Sequence, residues 1–380
     1  MTGRFGAAIR SEWLLDPDVA FLNHGSFGAT PRRVLAAQDR WREKMEREPV
    51  RFMYEVAGDG LRAAAGAVAD FVGADADSLV FTTNATEGIN AVVRSLDFAP
   101  GDEIVTTDHA YPGVRNTLDY ICRRTGARLV AAELPFPAES DDRMVAAVGA
   151  AIGPRTRLAV LDHVASHGAV VMPIARLIAL CHEHGVPVLV DGAHAPGMLD
   201  LDIAALDPDW YVGNAHKWLY APKGCGLLCA RADRRADLHP AVISNQFDQG
   251  YTAEFDWTGT RDPSAWLAVV EALDFFRDLG VDAARRYMHD LANDAATLLV
   301  ERWGTRRGAP PAMTGAMVAV QVPGAPEATR ESAYALHERL QNDHRVQVPV
   351  LAIGGALWVR VSAQVYNDID DYERLAAALS

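Results

Sequence analysis

Three short segments carry side chains that could do chemistry, and each follows a run of strand character. The first is Asp191-Gly192-Ala193-His194, after VPVLV. A carboxylate at the end of a strand is held on a rigid element. It serves there as a helix cap or surface turn, or as a buried anion for a cation such as a protonated ring nitrogen. The second is Asn214-Ala215-His216-Lys217-Trp218, followed by the Gly-rich KGCG. A lone lysine is usually a solvated surface charge. Lys217, between His216 and Trp218, has another reading: in apolar surroundings a lysine gives up its proton and becomes a nucleophile suited to Schiff-base formation. The third is Thr82-Thr83-Asn84-Ala85-Thr86-Glu87-Gly88, between a strand-like run and a helical pattern. Alone it is a plain N-cap. Its free N–H groups and Thr hydroxyl also suit a phosphate at a helix N-terminus.

The elements that must position these groups alternate along the chain. LVFTTN (79–84), DEIVTT (102–107), ARLVAAEL (127–134), RLAVLDHVA (157–165), VPVLVDGAH (186–194), WYVGN and GCGLLCA (224–230) read as strands. Helical patterns lie between them, including IARLIALCHEHG (174–185), which Gly185 stops. Such alternation predicts an α/β fold with a mostly parallel sheet covered by helices on both faces. After residue 262 come two long amphipathic helices (263–280 and 281–304) and an α+β tail, with RGAPPAMTG (307–315) as a loop. This predicts a large domain over 1–262 and a smaller one over 263–380. In the parallel part, Asp191 and Lys217 lie on successive strand ends and can converge. An anion for a pyridinium, a lysine for an aldehyde and a helix N-terminus for a phosphate together specify pyridoxal 5′-phosphate (PLP).

Composition narrows the alternatives. With 36 Lys and Arg against 50 Asp and Glu, the net charge of −14 disfavours nucleic acid and anionic membrane surfaces as partners. No uncharged apolar run approaches membrane-spanning length, and MTGRFGAAIRSEW lacks the apolar core of a secretory leader. Cys122, Cys181, Cys225 and Cys229 form no Cys-x-x-Cys pair, so neither a zinc site nor a disulfide scaffold is expected. These features predict a reduced, cytoplasmic protein with no metal. The glycine fingerprint of a nicotinamide enzyme is missing, as are the P-loop, H-E-x-x-H and G-x-S-x-G. An NAD-binding oxidoreductase on the same scaffold is thereby opposed, and Lys217 opposes a non-catalytic binder.

The ordered motifs TNATEGIN, DGAHAPG, HKW with GCG, and WTGTRD resemble those of fold-type-I PLP enzymes of the class V aminotransferase kind. FLNHGSFGATP near the start and WVRVSAQVYNDIDDYERL near the end resemble the isopenicillin N epimerase-like branch, which also holds ergothioneine-type and lincosamide-type C–S lyases. The resemblance implies a seven-stranded, mostly parallel sheet sandwiched by helices, plus a smaller α+β C-terminal domain. It makes Lys217 the Schiff-base lysine and Asp191 the partner of the ring nitrogen. His194 and Ser166 would sit near the phenolic oxygen. Ala85 N–H, Thr86, Asn214 and His216 would hold the phosphate. Thr260 would reach the phosphate of a neighbouring subunit, which implies a homodimer with shared active sites. Arg360 would clamp a substrate carboxylate bidentately; its plain alternative is a strand-face charge. Asn23, His24 and Ser26 would line the entrance, although a loop hydrogen bond accounts for His24 equally well. Over the ring, TTDHAYPGVRN (106–116) offers both His109 and Tyr111.

No cysteine follows Cys229, which disfavours persulfide transfer as in cysteine desulfurases. The remaining reactions on an amino acid are β-elimination from a cysteine S-conjugate, epimerisation, and decarboxylating deamination or transamination. C–S lysis asks least of the visible residues, since one base suffices; the branch resemblance implies specialised metabolism such as antibiotic biosynthesis.

Overall fold

The computed structural model describes residues 5–324 and 327–379. Strands are β1 (Ala20–Phe21), β2 (Leu79–Thr82), β3 (Glu103–Thr107), β4 (Arg128–Ala132), β5 (Thr156–Asp162), β6 (Val188–Gly192), β7 (Trp210–Asn214), β8 (Gly226–Ala230), β9 (Met317–Gln321), β10 (Val346–Gln347), β11 (Val350–Ile353) and β12 (Ala356–Ser362). Seven form the central sheet, in the order β2-β8-β7-β6-β5-β3-β4. Neighbours from β4 to β7 are parallel, and β8 runs antiparallel to both β7 and β2. Every residue of β2, β3, β6, β7 and β8 is buried. Continuous apolar runs require this, because both faces of such a sheet must be covered.

The two faces follow the two-residue strand period. Val80, Leu189, Val212 and Leu228 join the apolar cluster that packs on the helices Ala85–Arg94 and Pro112–Thr125. Leu79, Phe81, Val188, Val190 and Leu227 face the opposite cluster, which takes in the helix Ala57–Val72. A second sheet, β11-β12-β9, is antiparallel and packs on the helices Val281–Trp303 and Ile369–Ala378. Apolar clusters cross residue 262 in both directions. Trp266, Phe276 and Met288 belong to the core of the large sheet, while Ala20 and Leu22 belong to that of the small one. β1 pairs with β10 in a separate two-stranded sheet that ties the N-terminal segment to the C-terminal one.

The single helix expected over 263–280 is instead split into Ser264–Leu267 and Val269–Leu279. Trp266 anchors the short turn by donating its indole N–H to the carbonyls of Thr82 and Gly224, at 3.1 and 2.9 Å. The four cysteines are free and buried. Among the described residues no helix is long and apolar enough to cross a membrane.

Candidate active site

The carboxyl ends of the parallel strands open into a cleft of about 360 Å³, the place where open α/β sheets bind ligands. Asp162 ends β5, Asp191 lies near the end of β6, and Asn214 ends β7. Lys217 follows in the one-turn helix Ala215–Trp218. All four line the cleft together with Ser26, Thr86, Tyr111, Ser166, His194, His216 and Arg360. The strand-end motifs thus converge as their spacing predicts.

Lys217 Nζ lies 3.2 Å from His194 Nε2. Burial, with the Arg360 charge as a second cause, lowers the Lys217 ammonium to about 7; Asp191 opposes the shift. Near neutral pH a large share of this amine is therefore unprotonated and nucleophilic. Burial also keeps His194 neutral. Its Nδ1 faces the Trp218 indole N–H at 3.5 Å, which puts the His194 proton on Nε2, toward Lys217. Asp191 is buried and accepts the Ala193 N–H at 3.0 Å. Burial raises its carboxyl, while the Ala193 N–H and Lys217 pull the other way.

The helix Ala85–Arg94 points its N-terminus at the cleft. Asn84 caps it by accepting the Glu87 N–H. The Ala85 N–H, expected to hold a phosphate, donates instead to Asn214 Oδ1 at 2.8 Å. In this first turn the Thr86 N–H has no acceptor among the described residues. Backbone proximity fixes this arrangement: a Cβ on Gly226, in β8, would come within 2.6 Å of Asn84 Cα. His216 donates its Nδ1–H to the Cys225 carbonyl at 2.9 Å, so its Nε2 is the atom free to meet a ligand.

Arg360 comes from β12 and is only 4% exposed. Among the described residues it has no carboxylate partner. Its Nη1 donates to the backbone oxygen of Ser166 and to Ser166 Oγ at 3.2 Å, and its Nη2 donates to Ser26 Oγ at 2.7 Å. The buried Nε–H has no acceptor. Burial lowers this guanidinium to about 10. A buried cation with an unpaired donor is costly unless an anion completes it.

Two expected entrance residues stand behind the wall rather than in it. His24 is fully buried; its Nε2 donates to the Lys217 carbonyl at 2.9 Å, and its Nδ1 meets the Tyr366 hydroxyl at 2.7 Å. The one-turn helix His24–Phe27 presents Ser26 to the cleft and turns His24 toward the lysine backbone. Gly28 closes this turn at φ 41°, where a Cβ would lie 2.1 Å from the His216 carbonyl oxygen. Asn23 lies behind Arg360, its Oδ1 3.5 Å from Nη2. Of the pair over the ring, Tyr111 lines the cleft. His109 is buried against Phe136, with ring centroids 5.5 Å apart, and lies outside the lining. Thr260 is exposed and does not line its own chain's cleft.

Asp162 and Gln364 escaped the sequence reading. Asp162 has the same signature as Asp191, a carboxylate closing an apolar strand, and that signal was available in RLAVLD. Gln364 accepts from the Tyr220 hydroxyl at 2.6 Å and lies 3.1 Å from His24 Nε2, a tertiary network that no local pattern reveals.

Whether these residues suit PLP is tested by the unsatisfied groups. A buried carboxylate, a poised amine, an unpaired helix N–H and a buried guanidinium with no carboxylate partner among the described residues converge on one cleft. They match a ring nitrogen, an aldehyde, a phosphate and a substrate carboxylate. Fold and site together define an enzyme of the PLP fold-type-I class. The chain belongs to the aminotransferase class-V family, whose model matches residues 21–375. It is 36% identical over 399 residues to an isopenicillin N epimerase of Amycolatopsis lactamdurans, covering 98% of this chain and 97% of that one. It is 33% identical over 396 residues to an L-cysteine desulfhydrase of Arabidopsis thaliana, covering 95% and 87%. The cystine C–S lyase C-DES has the same fold, with a TM-score of 0.83 at 22% identity over 96% of this chain and 97% of that one.

Proposed function

We propose that the enzyme eliminates a thiol from L-cysteine or a cysteine S-conjugate, giving the thiol, pyruvate and ammonium from substrate and water. The observation that carries this reading is the joint presence of Lys217 and Arg360 in one cleft, an unprotonated amine beside a buried cation that lacks an anion. Relatives named for cysteine desulfhydration support it.

The bound cofactor supplies an electron sink for the carbanion at Cα. Arg360 fixes the substrate carboxylate, with Ser26, Ser166 and Asn23 holding its fork in place. Lys217 removes the Cα proton and, as the ammonium, returns it to the departing sulfur. Asp191 would hold the ring-nitrogen proton, and Thr86 N–H and Oγ would meet the phosphate. His216 joins them through Nε2 when the phosphate charge favours a second proton on its ring. With four buried cysteines and none in the cleft, no side chain is placed to carry sulfur.

Tyr111 keeps epimerisation as a second reading. It lines the cleft, and two relatives are isopenicillin N epimerases. The test is a panel of amino acids and cysteine S-conjugates, with products identified by mass spectrometry in deuterated water. Elimination yields pyruvate and thiol, whereas epimerisation yields inverted, deuterated substrate alone and would overturn the lyase reading. Arg360→Lys in the same assay should raise KM about tenfold to a hundredfold, because one charge-assisted hydrogen bond is worth roughly 1.5–3 kcal/mol.

We also propose a cytoplasmic homodimer in which Thr260 completes the partner's phosphate site. Its exposure outside its own cleft supports this. Sedimentation at micromolar concentration should show a dimer; a fully active monomer that retains cofactor would contradict it.

A further inference from the structure

Asp162 takes no part in the chemistry described so far, yet it is 6% exposed and lines the same cleft as Asp191. The two residues are register partners on β5 and β6. In-register residues of parallel neighbours share a face, and the strands lie about 4.8 Å apart. Two carboxyl groups so placed cannot both ionise in a buried setting without a cation between them. Asp162 has no ion-pair partner among the described residues.

We propose that Asp162 and Asp191 form a carboxyl pair sharing one proton, so that the cleft would present one negative charge to the cofactor's ring nitrogen rather than two. Asp162 is the member that carries the proton. Lys217 acts on Asp191 and pulls it toward the ionised form. Burial first and the Asp191 charge second drive Asp162 the other way, and they outweigh a backbone N–H and the Thr107 side chain, which favour its ionised form. The other groups near the pair are Arg360 and His194 in the cleft, Thr107 at the end of β3, His163 just after β5 and the Tyr211 phenol on β7. His194 and His163 are kept neutral by burial, and burial lifts Tyr211 far above neutrality. Asp162 is therefore a positioning residue: it fixes the charge and orientation of Asp191. The inference rests on the reading of Asp191 as the ring-nitrogen partner, but its test does not require cofactor.

The experiment is thermal and denaturant unfolding of the apoprotein from pH 4 to 8 for the wild type, Asp162→Asn, Asp191→Asn and the double variant. A carboxyl raised in the folded state keeps its stability contribution below the ordinary carboxylate range and loses it as pH rises above that range. The wild type should lose about tenfold in folding equilibrium per pH unit across that window, relative to Asp162→Asn. Each single variant should remove the part of the loss that the like charge causes and leave the part that burial causes on the remaining carboxyl, so the double variant should remove less than the sum of the two, as coupled titration requires. The histidines stay neutral in all four proteins, and Lys217, which Asp191 biases, is removed by making the comparison in a Lys217→Ala background. If Asp162→Asn fails to fold, Asp162→Ser provides the same comparison. Equal pH slopes for the wild type and the Asp162 variants would overturn the pair. Additive effects of the two substitutions would show independent carboxyls and overturn it as well.

Discussion

Lys217→Ala protein turns over substrate at least about 10³-fold more slowly than wild type, and borohydride leaves no cofactor attached to it. General acid–base catalysis alone contributes about 10²–10⁴-fold, and the same side chain is the only amine lining the cleft among the described residues. Absorption and mass spectra after reduction test the attachment. A borohydride-stable adduct at wild-type level in the variant would assign it to another residue. The apoprotein offers a second readout. With the amine at about 7 rather than in the ordinary lysine range, acylation of Lys217 should be half-maximal near pH 7. The sign for stability follows. Between about 7 and the ordinary range the unfolded chain holds a proton that the folded one lacks, so stability rises with pH there. Lys217→Ala removes this rise. Lys217→Arg should not restore turnover, because a guanidinium stays protonated.

Local signals made the lysine and Asp191 legible. An apolar strand that ends in Asp, and another followed by His-Lys-Trp, already state that rigid elements carry charged groups to one edge. Arg360 was legible only through the family resemblance, since nothing in LWVRVS distinguishes a buried clamp from an exposed strand charge. What the sequence left open lies where backbone geometry chooses between neighbours. His24 and Ser26 are two residues apart on one helical turn, and only the packing of Gly28 on His216 decides which faces the cleft. Likewise the turn in which Ala110 N–H bonds to Thr107 leaves His109 in the interior and Tyr111 at the surface. The pairing of Ala20–Phe21 with Val346–Gln347 is set by tertiary contact between distant segments. A two-residue strand has no periodicity from which to read it.

Removing the charge of Asp191 should be nearly as damaging as removing Lys217, and Asp191→Asn isolates that charge from shape. The amide oxygen can still accept the Ala193 N–H, so the turn after β6 is kept. What is lost is the anion that keeps a ring nitrogen protonated, and with it the capacity to delocalise carbanion charge. Removing one preorganised electrostatic group of this kind typically costs about 10²–10³-fold in kcat. We expect a loss at the upper end, about 10³-fold, with thermal stability near neutral pH not lowered. Asp191→Ala should lose more, since it also frees the Ala193 N–H. Near-wild-type turnover in either variant would refute the assignment. The neighbouring carboxyl makes the expectation sharper. Once Asp191 is neutral, the like charge that holds the Asp162 proton in place is gone. Asp162 is then easier to ionise and stands one strand away as a substitute anion. The Asp191→Asn defect should therefore shrink as pH rises, while Asp191→Asn/Asp162→Asn should show a deeper defect with no such recovery. Parallel pH profiles for the two proteins would leave the ring charge to Asp191 alone.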